Sequence, residues 1–162
     1  MRNCLRSLLL VLSLVCVQPL AARPASMALP TTASAAHQGL KEVGRGRLTW
    51  FGFGIYRASL WTGNGRYEGF APGQTVALSL WYERKFSRAQ LLDITQHEWQ
   101  RLKLGTPEQQ QRWRAALERQ WGDVRPGDNI TTVVTAGGAT RFYTQHRLLG
   151  EVVDPAFGPA FL

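Results

Sequence analysis

Cysteine is almost absent from this chain of 162 residues, and its two cysteines, Cys4 and Cys16, both stand close to the amino terminus. We expect residues 1–22 to be removed as a secretory signal, which would leave no thiol and would exclude disulfides, cysteine-bound zinc and cysteine nucleophiles. Histidine is also scarce: His37, His97 and His146 stand in unrelated segments, without the close spacing of zinc ligands. The sequence therefore predicts no metal site and no cofactor.

Motifs of the common enzyme classes are missing as well, because the chain has no G-x-S-x-G elbow and no P-loop. The glycine-rich stretch GRLTWFGFGIYRASLWT, residues 46–62, resembles a dinucleotide-binding fingerprint at first sight. Its third glycine would fall at Arg57 and no helix follows, so that interpretation is excluded. The aromatic and β-branched residues instead predict two adjoining strands, with a tight corner or bulge at Gly52 and Gly54.

The amino-terminal segment has the order of a secretory signal over residues 1–22. Arg2 and Arg6 precede the apolar run SLLLVLSLVCV, and PLAA follows with small residues for cleavage after Ala22. The run is too short to span a bilayer as a helix, so we expect an exported, periplasmic protein. Residues 23–39 are rich in Ala, Pro, Ser and Thr and predict a flexible leader. Residues 40–162 then form one domain with a single core.

Positive charge dominates the chain, which has 19 Lys and Arg against 11 Asp and Glu and a formal net charge of +8. The cations are scattered and interleaved with acidic residues, without the stripe that nucleic-acid binding requires. We therefore predict no nucleic-acid partner and favour peripheral contact with an anionic membrane or with acidic ligands. The pattern carries no signal for an oligomeric state.

The order of predicted elements is strands, then helices, then strands. After the first two strands, TVALSLWY alternates as a third. Ser87 and Gln90 predict a capped helix to about Leu102, and Thr106 begins a second helix. NITTVVT, TRFYTQ and LLGEVV follow as short strands, and a last helix starts at Asp154. This order predicts an α+β fold, an antiparallel sheet covered by helices on one face.

Three residues of the first long helix are candidates for a ligand site. Glu98 and Thr95 project from within its apolar stripe, where an unpaired carboxylate would be costly to desolvate. Pairing of Glu98 with an arginine of the sheet, and a ligand or proton-transfer role, both stay open. The Thr95 hydroxyl either bonds back to a helix carbonyl or faces a ligand. Trp99 is a candidate wall of an apolar pocket.

Two arginines and a tyrosine of the first strands complete the candidate set. Arg45 and Arg47 are two residues apart, so they point to the same side of their strand. On the concave face of the sheet they would bind a carboxylate or enolate oxygen, whereas on the other face they would only be solvated. Tyr56 either presents its hydroxyl to the same cavity or buries it against a backbone carbonyl.

Three segments together resemble the bacterial, exported branch of the chalcone isomerase-like family. They are VGRGRLTWFGFGIYRASLW, LSLWYERKFSRAQLLDITQHEWQRL and VRPGDNITTVVTAGGATRFYTQHRLLGEVVDPAFGPAFL, and the resemblance covers about residues 40–162. It implies an open-faced β-sandwich, in which a curved antiparallel sheet covered by helices encloses an apolar ligand cleft. Plant chalcone isomerases of this superfamily cyclise a chalcone to a flavanone, while other members resemble fatty-acid-binding proteins without that activity.

The resemblance also implies that the catalytic set of the plant enzymes is incomplete here. Their arginine corresponds to Arg45 or Arg47, their threonine falls at Tyr56, and the Ser87–Trp99 region has no asparagine. Their last active-site residue would fall beyond Leu162, where the predicted final helix stops with an apolar residue.

Three functions are compatible with this sequence, and a non-catalytic binder of an amphipathic or aromatic small molecule, such as a fatty acid, is favoured. Its predicted ligand residues are Arg45, Arg47, Tyr56, Thr95, Glu98 and Trp99. The alternative is an isomerase or intramolecular lyase acting on a conjugated carbonyl compound, in which Arg47 stabilises an enolate-like oxygen while Glu98 or Tyr56 moves a proton. A third hypothesis is a partner-binding accessory protein with a filled interior.

Overall fold

A computed structural model gives the structure of residues 28–70 and 73–162. The signal segment predicted over residues 1–22 lies outside these described residues. The elements in chain order are α1 (Thr31–Ala36), β1 (Lys41–Trp50), β2 (Phe53–Thr62), β3 (Val76–Tyr82), α2 (Arg88–Leu102), α3 (Pro107–Gln120), β4 (Asn129–Val134), β5 (Thr140–Tyr143), β6 (Leu148–Val152) and α4 (Phe157–Phe161). No helix within the described ranges has the length and apolarity needed to cross a membrane.

The six strands form one antiparallel sheet, in which each strand pairs with the next one in sequence. Side chains alternate between two faces along each strand. We call the face that carries Leu80 and Ile130 the inner face, and the face that carries Ser79 and Thr131 the outer face. Helices α2, α3 and α4 pack on the inner face. The predicted α+β fold class is confirmed.

Reciprocal caps fix where the two long helices begin. The Ser87 hydroxyl accepts a hydrogen bond from the Gln90 backbone, while the Gln90 side chain accepts one from the Ser87 backbone at 2.9 Å. Thr106 and Gln109 repeat the arrangement at the start of α3. Each cap satisfies amide groups that would otherwise lack partners, so the predicted starts coincide with the observed ones.

The main core lies between the helices and the carboxyl-terminal half of the sheet. Trp99 of α2 meets Trp113 of α3 edge to face, with ring centroids 5.4 Å apart, and both rings contact Phe157 of α4. Phe157 in turn contacts Phe142 of β5. Such aromatic pairs stabilise beyond their buried area, by about 0.5–1.5 kcal/mol each. Because this cluster stands over β4–β6, the inner face of β1–β3 is left only partly covered.

Residues 28–39 differ from the flexible leader that we expected over residues 23–39. Leu29 and Ala33 are buried on the outer face against Ala77 and Val133. The Thr32 hydroxyl donates a 2.6 Å hydrogen bond to a backbone carbonyl in the turn after β5. A six-residue helix is too short to show a periodic pattern of apolar residues. Its small side chains also resemble the composition of a flexible linker. Residues 23–27 lie outside the described part of the chain.

The last helix begins later than predicted, at Phe157 rather than Asp154. The Asp154 carboxylate accepts a 2.8 Å hydrogen bond from the Trp113 indole and another from the Ala156 amide, which fixes the turn before the helix. Gly158 is fully packed against the sheet. A Cβ placed on it would lie 2.8 Å from the γ-carbons of Val134.

We expect Gly158→Ala to lower the free energy of unfolding by about 1–3 kcal/mol, because the added methyl group forces α4 away from the sheet. Urea denaturation followed by circular dichroism measures the change. Gly122→Ala is the matched control, since a Cβ there meets no atom within 4 Å. Equal stability of the two variants would contradict the close approach of α4 to β4.

Candidate ligand-binding site

A cleft of about 740 Å³ opens between the inner face of β1–β3 and the helices α2 and α4. Its lining is mainly aliphatic and aromatic. The sheet provides Leu48, Ile55, Tyr56, Leu78, Leu80 and Tyr82, α2 provides Ile94, Thr95, Glu98, Trp99 and Leu102, and α4 provides Ala160 and Phe161. The volume falls in the range of about 300–1,000 Å³ that is typical of small-molecule sites.

A β-bulge in β2 shapes the floor of the cleft. Leu48 of β1 pairs with Tyr56, but the next β1 residue, Thr49, pairs with Gly54, so Ile55 has no partner in β1. An extra residue of this kind turns two successive side chains to the same face. Ile55 and Tyr56 accordingly both line the cleft. The sequence predicted a tight corner or bulge at Gly52 and Gly54, and the hairpin has both, a turn that includes Gly52 and a bulge next to Gly54.

Two tyrosines place the main uncharged hydrogen-bonding groups in the cleft. Tyr56 and Tyr82 pair across β2 and β3, and their rings meet edge to face with centroids 6.4 Å apart. None of the described residues hydrogen-bonds to either hydroxyl, and both residues line the cleft. Burial raises the pKa of Tyr56. Burial, and then the neighbouring Tyr56, raise the pKa of Tyr82, so both phenols remain donors at neutral pH.

Helix α2 brings its predicted residues to the cleft wall. The Thr95 hydroxyl donates a 2.8 Å hydrogen bond to the Leu91 carbonyl, which is the first of the two alternatives considered for it. Trp99 is 2 % exposed, and its indole donates a 3.0 Å hydrogen bond to the Ala160 carbonyl. Trp99 therefore ties α4 to α2 and closes one end of the cleft.

Glu98 lies at the mouth of the cleft, with its side chain 44 % exposed. Its partner is Arg101, one helical turn away, at 2.6 Å, and not an arginine of the sheet. The hydrogen bonds from Arg101 hold the pKa of this carboxyl below its ordinary value. Glu98 is thus an ionised, paired carboxylate rather than a buried acid that holds a proton.

The structure does not bring Arg45 and Arg47 to the cleft. They share one face of β1, as their spacing predicts, but they pair with Ser59 and Arg57 on the outer face. Arg45 binds Glu42 at 2.6 Å. Arg47 donates to Glu83 of the turn after β3 at 2.7 Å. The expected contact between these arginines and a ligand in the cleft is therefore not observed. The spacing of two residues fixes which side chains share a face, but not which face it is.

Sequence reasoning missed two polar groups of the cleft wall. Tyr82 carries the second hydroxyl. The alternation of side chains along its strand could be recognised in the sequence and was the signal that could have identified it. Trp121 follows α3, is 7 % exposed, and lines the cleft. Its indole N–H has no hydrogen-bond partner in the described part of the chain. Its position depends on where the second helix ends, which the sequence pattern does not fix.

Within residues 28–70 and 73–162, no three His, Cys, Asp or Glu side chains come close enough to hold a metal ion. Among the described residues, the charged side chains that line the cleft are limited to Glu98. The site is therefore an apolar cleft with two phenols inside it and an ion pair at its mouth.

Comparison with known proteins shows the fold of this chain. No protein-family model matches the sequence, and neither does any curated protein. The structure is similar to the crystal structure of a fatty-acid binding protein of Arabidopsis thaliana, with a TM-score of 0.60, over 76% of this chain and 77% of that chain. The two sequences are 12% identical, so the similarity shows the fold alone. The chain has the open-faced β-sandwich of chalcone isomerase type.

We expect the free energy of unfolding to fall as the pH rises above about 10, because unfolded tyrosines lose their protons there while the buried ones do not. Tyr82→Phe should flatten this decline by up to about 1.4 kcal/mol per pH unit, which is the effect of one proton. Urea denaturation between pH 9 and roughly 11 measures the slope. The matched control is Tyr67→Phe, at a residue that is 42% exposed. Identical slopes in the wild type and in Tyr82→Phe would contradict the assigned cause.

Proposed function

We propose that this protein is an exported, non-catalytic binder of an amphipathic small molecule, with a fatty acid as the representative ligand. The tail lies along the aliphatic floor of the cleft, and the head group accepts hydrogen bonds from the two phenols. The observation that supports this proposal most strongly is a preformed apolar cleft of about 740 Å³ that contains two hydroxyls without a hydrogen-bond partner among the described residues. Export rests on the secretory pattern of residues 1–22, and the structurally similar Arabidopsis protein is a fatty-acid binding protein, which supports this choice of ligand.

The chemistry of the phenols supports this choice of ligand. Burial keeps Tyr56 and Tyr82 protonated, so each can donate one hydrogen bond to a carboxylate or carbonyl oxygen. A hydrogen bond to a charged acceptor contributes about 1.5–3 kcal/mol. The apolar walls supply the rest of the affinity by removing the tail from water, at roughly 25 cal/mol per Å².

The isomerase alternative gains no support from the geometry. Its mechanism needs a cation beside the developing oxyanion, and the two candidate arginines stand on the outer face in ion pairs. It also needs a group that exchanges a proton near neutral pH. Glu98 is held ionised by Arg101, and the pKa of Tyr56 is raised. We therefore do not propose it as a second function.

Thr95→Trp should weaken fatty-acid binding at least about tenfold, which corresponds to roughly 1.4 kcal/mol, because the indole would occupy the cleft. Delipidated protein is titrated with a long-chain fatty acid and followed by native mass spectrometry and by the shift in melting temperature. Gln100→Trp, on the exposed side of the same helix, is the matched control and should bind normally. A wild-type protein that shows neither a bound mass nor a melting shift with any fatty acid would refute the proposal.

Tyr56→Phe and Tyr82→Phe should each weaken binding of the fatty acid about tenfold, through loss of one donor to the head group. Arg45→Ala and Arg47→Ala should leave the affinity unchanged, since both arginines are on the outer face. The same titration by native mass spectrometry compares the four variants. If the arginine variants lose affinity and the tyrosine variants do not, the head group lies elsewhere.

A further inference from the structure

Five large apolar side chains are exposed around the opening of the cleft, and we call them the apolar rim. Leu48, Ile94 and Leu102 line the cleft and are each about half exposed, at 46%, 53% and 51%. Phe51 and Phe53, at the tip of the β1–β2 hairpin, are exposed to 84% and 64%. Single exposed apolar residues are ordinary on a protein surface, but a group of them around a ligand opening indicates an interaction site.

The bulge in β2 places Phe53 on the same side as the cleft. Beyond the bulge the alternation of side chains is reversed, so Gly54 points to the outer face and Phe53 to the inner face. A Cβ on Gly54 would meet the Glu83 carboxylate and the Arg47 guanidinium, which confirms its outward direction. On the other side, the Arg84 guanidinium lies 5.6 Å from the centre of the Phe53 ring.

The turn that carries Phe51 is unfavourable for an aromatic residue. Phe51 and Gly52 have φ values of 47° and 79°, so both central residues of this two-residue hairpin turn are left-handed. Asparagine and glycine suit such a turn, whereas a bulky side chain costs about 1–2 kcal/mol in this conformation. The chain therefore holds a phenylalanine at an exposed tip in a backbone conformation that is unfavourable for it.

Cations that have no acidic partner in the described part of the chain flank the apolar rim. Arg84 and Lys85 follow β3 beside the hairpin tip, Lys103 follows Leu102, and all three are exposed. No ion pair with a described carboxylate involves any of them. The nearby carboxylates of Glu83 and Glu98 are already paired with arginines. The surface around the rim is thus apolar in its centre and positive at its edge.

From this arrangement we infer that the apolar rim is a docking surface for an anionic phospholipid bilayer. The phenylalanines enter the interface between headgroups and acyl chains, and Arg84, Lys85 and Lys103 bind the phosphates. The cleft then opens directly onto the lipid, so an amphipathic ligand passes between bilayer and cleft without crossing water. The purpose of the docking rests on the function proposed above.

Charge favours a bilayer over a second copy of this chain as the partner that binds the apolar rim. Two copies meeting rim to rim would bring like-charged cations together, which is unfavourable. An anionic bilayer offers the opposite charge, and each cation near such a surface contributes about 1 kcal/mol. The bilayer is also where an amphipathic ligand partitions.

The test is co-sedimentation with vesicles of phosphatidylcholine alone and of phosphatidylcholine mixed with an equal part of phosphatidylglycerol. The wild type should bind the mixed vesicles, bind phosphatidylcholine weakly, and be released by salt as the charges are screened. The double variant Phe51→Asn, Phe53→Thr should reduce partitioning at least about tenfold through loss of apolar insertion. Because asparagine suits the turn and threonine suits a strand, we expect its melting temperature to be unchanged or higher.

Two reversals of charge provide matched controls. Lys85→Glu should weaken binding to the mixed vesicles about tenfold, whereas Lys41→Glu, at the far end of the β1–β2 hairpin, should not. Equal effects of the two reversals would overturn the inference, because they would show that the whole protein is attracted to the vesicles and that the apolar rim is not the docking surface. Sedimentation velocity tests the competing occupant. A wild-type dimer that the double variant converts to a monomer would overturn the inference as well.

Failure of this inference is distinguishable from failure of the proposed ligand binding. Binding of a fatty acid measured without vesicles should be the same in the wild type and the double variant. Normal fatty-acid binding with no difference between the two proteins on vesicles would overturn the docking surface and leave the ligand cleft intact. Rim-dependent vesicle binding without fatty-acid binding would support the docking surface and refute the ligand.

Discussion

The contacts among Trp99, Trp113, Phe142 and Phe157 determine which part of the sheet is covered. They tie α2, α3 and α4 to one another and hold them over the later strands. A six-stranded sheet is wider than this group of helices, so the inner face of the first strands is left partly exposed. The cleft is the space that results, and the same packing brings Ala160 to the Trp99 indole that closes its end.

The helical part of this arrangement could be predicted from the sequence, because caps and a 3.6-residue period are local signals. Thr95, Glu98 and Trp99 stand at the cleft wall, where the apolar stripe of their helix indicated. The apolar stripe did not determine the partner of Glu98, because an arginine one turn away and an arginine of the sheet are both compatible with that stripe. The helix Thr31–Ala36 was not predicted, because six small residues carry no periodic signal.

The strands could be predicted only in part from local sequence patterns. Alternation places Arg45 and Arg47 on one face of β1, but the face itself depends on pairing with β2, which is a contact distant in sequence. The bulge at Ile55 then reverses the alternation within the same hairpin, so that Tyr56 and Phe53 lie on one side and the arginines on the other. An insertion of one residue thus separates the ionic from the apolar surface of the hairpin. The glycines indicated where the chain bends, but only the register with β1 shows that Ile55 is the inserted residue.

The two indoles of the cleft wall have an optical consequence. Trp99 and Trp121 are both buried beside the cleft, and the Trp121 N–H has no acceptor among the described residues. Indole emission depends on the polarity around the ring, so a hydrocarbon chain that displaces water from the cleft would shift their fluorescence to shorter wavelength. The chain thus carries its own reporter of occupancy, and filling of the cleft can be followed in time without any label.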